Sequence, residues 1–342
     1  MTASRTALVI GATGSFGAHA MCALLRHGWT VRALARDPEA AARRAGEMTP
    51  VEWIKGDAMA PADVVAAARG VSVIVHAANP PAYKNWRGLA IPMLASTIAA
   101  AKAEGARVVL PGTVYNFAPD AGLHIAEDAP QAPATRKGQV RVEMEAMLRD
   151  ASTSGARALV LRAGDFFGPA APNSGLLWLT TRKAGRVTGV YRTGESHGFA
   201  YLPDLAETLA RLLDREDELA DFEVFHFAGH QLAGETALGE AVRRAVGDVR
   251  IPIRAFPWPV IWAAAPFVTM FREMLEMRYL WTRPIGLDET KLRAFLGDVP
   301  LTPLIAGLRE SLADLDIEIG AGAWTQEGVR AYVAAHARPH AV

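Results

Sequence analysis

Three glycines spaced three apart constrain this chain more than any other feature. They stand in Gly11-Ala-Thr-Gly14-Ser-Phe-Gly17, directly behind the apolar run Ala7-Leu-Val-Ile10 and directly ahead of a segment that reads as a helix from Phe16 to His27. A short apolar run is what a strand buried on both faces requires. In a strand–turn–helix context the first glycine permits the tight turn, the second lets backbone amides approach a pyrophosphate, and the third allows close packing of helix on strand. The helix N-terminus adds free N–H groups and a partial positive charge that suit an anion. Thr13 and Ser15 can contribute hydroxyl donors, and Phe16 shares the turn. The alternative is a glycine turn that holds no ligand.

The same strand–helix rhythm continues. Thr30 to Ala35, Val51 to Lys55, Ser72 to His76, Arg107 to Leu110 and Ala158 to Leu161 read as strands, with helices from about Leu89 to Glu104 and Gln139 to Asp150. Strands separated by helices of this length predict a parallel sheet with right-handed crossovers. The expected fold is therefore α/β: a Rossmann-type doubly wound parallel sheet with a smaller, mostly helical C-terminal substrate lobe. We place the nucleotide-binding core at 1–164 and the lobe at 165–197 and 231–300. Segments 198–230 and 301–320 return to the core, and 321–342 form a tail. The piece from about Gln231 to Gly297, punctuated by prolines, reads as helices with one extended stretch.

Composition narrows the function classes. The chain has 342 residues, no formal net charge and no basic stripe, so it lacks the footprint of a nucleic-acid binder. Its single cysteine, Cys22, forbids an intrachain disulfide and reads as a small buried hydrophobe. The nine histidines show no zinc-type spacing, so no metal is expected. The most apolar late stretch, Ala255 to Met270, carries three prolines and is shorter than the ~20 residues of a membrane span. No signal segment is evident, and a cytoplasmic location is expected.

The tip of the second strand usually decides between NAD and NADP. An acidic residue there binds the ribose 2′-hydroxyl, and an arginine accommodates the 2′-phosphate. Arg36 occupies that tip, which favours NADP(H), while Asp37 keeps NAD(H) open. Asp57, after the third strand, is placed either to accept from the adenine amino group or to serve as a turn residue before Pro61.

These motifs, taken in order, resemble the extended, epimerase/dehydratase-like branch of the short-chain dehydrogenase/reductase superfamily. Val75-His-Ala-Ala-Asn79 is similar to its fourth-strand signature, which implies that Ala77, Ala78 and Asn79 line the nicotinamide side. Val114-Tyr115, Glu127-Asp-Ala-Pro130, Leu161-Arg-Ala-Gly164 and Phe199-Ala-Tyr-Leu-Pro-Asp204 are similar to later landmarks. The family's catalytic serine position falls on Pro111. Its Tyr-x-x-x-Lys positions fall on Lys137 and Arg141, and no Tyr-x-x-x-Lys occurs anywhere in the chain. The resemblance thus implies an atypical member. Lys137, Tyr115 and Thr113 are the candidates for catalytic roles, and Arg141, which stays protonated, can hold a ribose or a phosphate.

Phe166, Tyr191 and His197 are the substrate-pocket candidates, with Trp178 and Arg192 nearby in sequence. The leading expectation is an NADP(H)-dependent oxidoreductase or epimerase-like enzyme acting on a small carbonyl or hydroxyl compound. A dinucleotide-binding redox sensor is the second reading, and a binding protein with a structural cofactor the third. The resemblance also implies a possible homodimer through the helices at 89–104 and 139–150.

Overall fold

A computed structural model describes residues 5–45, 50–80, 85–169, 187–189, 196–234, 236–255 and 257–313. Tyr191, Trp178, Arg192 and the expected tail lie outside these residues. The first half alternates as expected: β1 (Thr6–Ile10), α1 (Ser15–Arg26), β2 (Thr30–Ala35), α2 (Pro38–Ala45), β3 (Val51–Lys55), α3 (Pro61–Ala67), β4 (Val73–His76), α4 (Trp86–Glu104), β5 (Arg107–Thr113), β6 (Gly122–Ile125), α5 (Arg136–Ser152) and β7 (Arg157–Ala163). Beyond it lie β8 (Asp165–Phe167), β9 (Val187–Gly189), β10 (Ser196–Tyr201), α6 (Leu202–Asp214), β11 (Phe222–Phe227), β12 (His230–Ala233) and α7 (Ala237–Val246). β13 (Ile253–Ala255), α8 (Trp258–Ala264), α9 (Thr269–Met277), β14 (Ile285–Leu287), α10 (Thr290–Leu296) and α11 (Leu304–Ala313) complete the described chain.

Seven parallel strands form the main sheet in the order β11-β7-β5-β4-β1-β2-β3. The order reverses beside β1, so β1 and β4 diverge into a crevice at their C-terminal ends, where ligands of such sheets bind. Helices cover both faces. Ala7 and Val9 of β1 pack towards α1 and α6 with Leu24, Leu205 and Leu209, while Leu8 and Ile10 face α4 and α5 with Leu94, Ile98 and Met144. Each strand side is apolar because each meets a helix, which explains the unalternating runs.

The C-terminal region departs from the reading of helices with one extended piece. It contributes three short strands between 230 and 287. β12 and β14 join β10, β6 and β8 in a second sheet of order β12-β10-β14-β6 with β8 beside β10, and β13 pairs with β9. Three-residue strands such as β14 are too short to show a period in sequence.

A buried polar network ties this second sheet to the first. Arg162 on β7 and Glu145 on α5 are both almost fully buried. Arg162 donates to both carboxylate oxygens, at 3.0 and 2.7 Å, and to the Glu127 carbonyl at 3.1 Å. Asn116 and Gln131 donate to the same carboxylate. His226 on β11 donates through Nδ1 to the Ile125 carbonyl and accepts from Arg162 through Nε2. Burial, with the Arg162 guanidinium beside it, pushes its imidazole down to about 3, so the ring is neutral in this tautomer.

At the other face, His27 closes α1 against α6 through Glu207 (3.0 Å) and Asp214 (2.5 Å). The Glu207 hydrogen bond, aided by Asp214, outweighs burial and holds the imidazole above its ordinary range. The shared proton also brings the Glu207 carboxyl down to about 2.

Two outcomes follow from these contacts. Glu145→Leu leaves the Arg162 charge buried without its carboxylate and should cost about 3–5 kcal/mol, read as a lower urea midpoint. For His27, a folded pKa above the unfolded one stabilises fully below the unfolded value, and the contribution is lost as pH rises through the folded value. The stability gap between the natural protein and His27→Gln should therefore shrink as pH is raised from about 6 to about 9. A gap independent of pH would show that the ring's charge is not what joins the helices.

Candidate functional site

The glycine loop sits in the crevice between β1 and β4. Gly11 has φ +86°, and a β-carbon on it would lie 2.6 Å from the backbone of Ala77 and Ala78. A β-carbon on Gly17 would lie 2.2 Å from the Gly11 carbonyl oxygen. Both positions accept only glycine, because backbone meets backbone there. Gly14 is different. It is exposed, its β-carbon would meet only the Gly11 oxygen at 3.2 Å, and it sits at the N-cap of α1 in extended conformation. The loop therefore pins α1 to the end of β4 through its outer glycines and leaves the middle one facing outwards.

No side chain caps α1 and no acidic residue stands in its first turn. The amides of Ser15, Phe16 and Gly17 precede the first intrahelical bond, Ala18 to Gly14, so the helix end offers its donors outwards. Thr13 is exposed and Ser15 half-buried beside them. Phe16 differs: its ring is buried and stacks on Phe166, centroids 6.5 Å apart, so only its backbone faces the loop. The stack also joins Phe166, at the start of the distal region, to the glycine loop.

Arg36 is exposed at the tip of β2 and forms no ion pair or hydrogen bond among the described residues. Asp37 caps α2 by accepting from the Ala40 amide. Asp57 accepts from the Met59 amide at 2.9 Å, which is the turn role, and its second carboxylate oxygen is not used in that bond.

Beyond the end of β4, Asn79 and Arg141 come together. Arg141 makes long contacts to the Asn79 side chain (3.5 Å) and the Pro111 carbonyl (3.4 Å), with its guanidinium over Trp86 at 5.1 Å. His76, one residue before Ala77, donates to Thr97, which passes its own proton to the Met93 carbonyl. Burial, then the Arg141 charge, pushes His76 down to about 3, leaving Nε2 as a buried acceptor with no partner among the described residues.

Lys137 is in the first turn of α5, whose N-cap Thr135 accepts from the Gly138 amide. Gly138 allows the helix to press on the Tyr115 carbonyl, where a β-carbon would lie at 2.3 Å. Lys137 is buried and donates to Glu273 and, at 2.8 Å, to Glu276, both on α9. Glu276 also accepts from the Arg136 and Lys137 amides, a carboxylate on a helix N-terminus. Burial raises the Glu276 carboxyl, but the Lys137 ammonium and these amides outweigh it and hold it below the usual range. So Lys137 clasps α9 while Arg141, one turn on, faces the sheet. Thr113 ends β5 and accepts from the Tyr115 amide at 3.2 Å. The half-buried Tyr115 packs between the α5 side and the cluster of Val114, Phe117, Met277 and Leu280.

His197 is a buried residue of β10. It pairs with Asp165 at 3.1 Å, and Trp281 donates to the same carboxylate oxygen. Burial raises Asp165, yet His197 and Trp281 hold it below the usual range. Tyr279, between these two clusters, has a buried hydroxyl with no partner among the described residues. Burial, with Asp165 and Glu276 nearby, raises its phenol. Glu273, Glu276, Tyr279 and Trp281 were invisible in sequence, because nothing local marks a helix more than 130 residues away as the partner of Lys137. Among the described residues no group of three or more His, Cys, Asp or Glu side chains could hold a metal. Nor is any described helix long and apolar enough to cross a membrane.

Comparison with known proteins agrees with this geometry. Residues 7–228 match the family model described as NAD dependent epimerase/dehydratase family. No curated protein matches the sequence. Among solved structures, UDP-glucuronic acid 4-epimerase from Bacillus cereus in complex with NAD is similar at 16% identity, over 90% of this chain and 97% of that one, with a TM-score of 0.71. UDP-glucose 4-epimerase from Bifidobacterium longum, in complex with NAD+ and UDP, shows 18% identity over 90% and 97%, TM-score 0.69. WbmH from Bordetella bronchiseptica, in complex with NAD+, shows 19% over 91% and 98%, TM-score 0.69. With the glycine loop at a sheet's switch point and a family match over most of that sheet, the chain belongs to the NAD dependent epimerase/dehydratase family, in the extended branch of the short-chain dehydrogenase/reductases, as an epimerase-like enzyme of the nicotinamide-dinucleotide class.

Proposed function

We propose that the chain uses NADP(H) to interconvert a hydroxyl and a carbonyl on a small molecule, with the dinucleotide laid across the switch point of the main sheet. The observation that carries this reading is the uncapped N-terminus of α1, held against β4 by glycines that nothing larger can replace. In this reading Gly11, Gly14 and Gly17 admit the pyrophosphate, the amides of Ser15 and Phe16 donate to it, and Thr13 adds a hydroxyl. The unpartnered Arg36 takes the 2′-phosphate, which is the basis for preferring NADP(H) to NAD(H). Asp57 reaches the adenine with its remaining acceptor capacity. Ala77, Ala78 and Asn79 border the nicotinamide, with Arg141 on its ribose.

A bound nicotinamide supplies or takes the hydride. This chain must hold the reacting oxygen and supply or remove one proton. Lys137 stands in the family's tyrosine position and is the proton carrier in this reading. Thr113 orients the oxygen by hydrogen bonding, and Tyr115 is the alternative carrier. Phe166 and His197 border the substrate in this reading; Tyr191, the third sequence candidate, lies outside the described residues. A nucleotide sugar is the first substrate class to test, because the similar solved proteins include UDP-sugar epimerases.

Calorimetric titration should give tighter binding of NADPH than of NADH. Arg36→Ala should erase about a tenfold or greater preference, since a charge-assisted hydrogen bond contributes about 1.5–3 kcal/mol. Equal affinities in the natural protein would refute the NADP(H) assignment. Gly14→Val should abolish dinucleotide binding with the circular dichroism spectrum preserved, whereas Gly17→Ala should disrupt the loop itself and lower the melting temperature. Lys137→Met should lower turnover by about 10²-fold or more with little change in cofactor affinity, the usual effect of removing a positioned acid. Unchanged turnover in that variant would remove Lys137 from the chemistry and leave it as a clasp on α9. No turnover of either cofactor on a broad panel of carbonyls and nucleotide sugars, despite tight binding, would mean that the dinucleotide is bound and not used.

A further inference from the structure

The apolar stretch that is too short to span a bilayer has a second feature that the sequence did not reveal: several of its large apolar side chains are exposed. From Pro257 to Phe271 no residue is charged. The stretch folds as a helical hairpin, α8 and α9, joined by a turn through Ala265–Val268. Trp258, Ile261 and Ala265 are buried against the lobe. Around them Val260 (62%), Trp262 (58%), Phe267 (89%), Val268 (39%) and Met270 (50%) are exposed. Phe267 stands at the turn itself and is the most exposed large apolar residue described. Single exposed hydrophobes are ordinary, but five on one hairpin mark a contact surface.

Charge and size indicate what covers it. The hairpin and the turn after it carry two acids, Glu273 and Glu276, and three arginines, Arg272, Arg278 and Arg283. Both acids are committed inwards, to Lys137 and the N-terminus of α5. None of the three arginines forms an ion pair among the described residues. Arg272 is exposed one turn beyond Val268, and Arg278 lies over Trp258 at 5.1 Å. Exposed aromatic and aliphatic groups therefore stand beside the exposed, unpaired Arg272 and Arg283, while Arg278 is turned onto the buried Trp258. A specific protein interface draws on about 20–30 residues and about 800 Å² per partner, far more than five side chains of one hairpin. An anionic lipid surface needs no such area: it accepts a shallow apolar wedge and pairs its phosphates with nearby arginine.

We propose that the α8–α9 hairpin is a membrane-surface anchor that inserts Trp262, Phe267 and Met270 into the interfacial region of an anionic bilayer, with Arg272 at headgroup level. It lies on the surface and does not span. The anchor is carried by the same α9 whose carboxylates clasp Lys137, so a surface-bound molecule would present its distal lobe to the lipid. The proposal is independent of the cofactor assignment.

Co-sedimentation of the full chain with phosphatidylcholine vesicles, with and without phosphatidylglycerol, tests it. The natural protein should pellet with the anionic vesicles, less with the neutral ones, and less again at high salt. Trp262→Glu/Phe267→Glu, both at exposed positions, should lower vesicle partition at least tenfold with an unchanged circular dichroism spectrum and melting temperature. Arg272→Glu should lower partition to the anionic vesicles alone. Failure to pellet with either vesicle would overturn the proposal, as would a double variant that pellets like the natural protein. If the natural protein is instead a dimer in light scattering, ignores vesicles, and is made monomeric by the double variant, the hairpin is an interface between copies and the membrane assignment falls.

Discussion

The buried pair of Arg162 and Glu145 is the contact on which the other parts of this structure lean. A guanidinium and a carboxylate taken out of water are tolerable only when nearly every donor and acceptor is used. Here the unused capacity is met by Asn116, Gln131, the Glu127 carbonyl and the neutral ring of His226. Those partners come from β5's end, the segment before α5, and β11. The network thus fixes α5 on the main sheet and, through the His226 bond to Ile125, fixes β6 and with it the second sheet. The polar centre sets position, and the apolar layers on the two sheet faces supply most of the burial.

From that frame the two halves of the site follow. The side proposed for the cofactor is a matter of backbone: Gly11 against Ala77, Gly17 against Gly11, and a helix end left open at Gly14. The side proposed for the reaction is a matter of long-range ion pairs. α5 is held by the Arg162–Glu145 pair in its middle, and its first turn is gripped by Glu273 and Glu276 from α9. The same distal segment brings Trp281 to Asp165 and His197. The Lys137 ammonium, seated between two carboxylates, makes the contact between α5 and α9 ionic.

The sequence by itself determined what depends on near neighbours. The strand–glycine–helix order and the unalternating strands of a two-sided sheet are local, because helical and strand periods and turn requirements are set within a few residues. The small sheet was not legible: β12, β13 and β14 are three or four residues long and owe their form to pairing across the fold. Phe16 and His197 were placed by motif alone, and only packing showed that one ring stacks beneath the loop and the other is a buried strand residue paired with Asp165. Glu273 and Glu276 are ordinary helix carboxylates in sequence, and their role exists only because α9 lies against α5. The exposed side chains of the 257–271 stretch likewise had to wait for the fold. Composition states that a segment is apolar, but which side meets protein and which side remains exposed is decided by tertiary packing, since burial depends on residues remote in sequence.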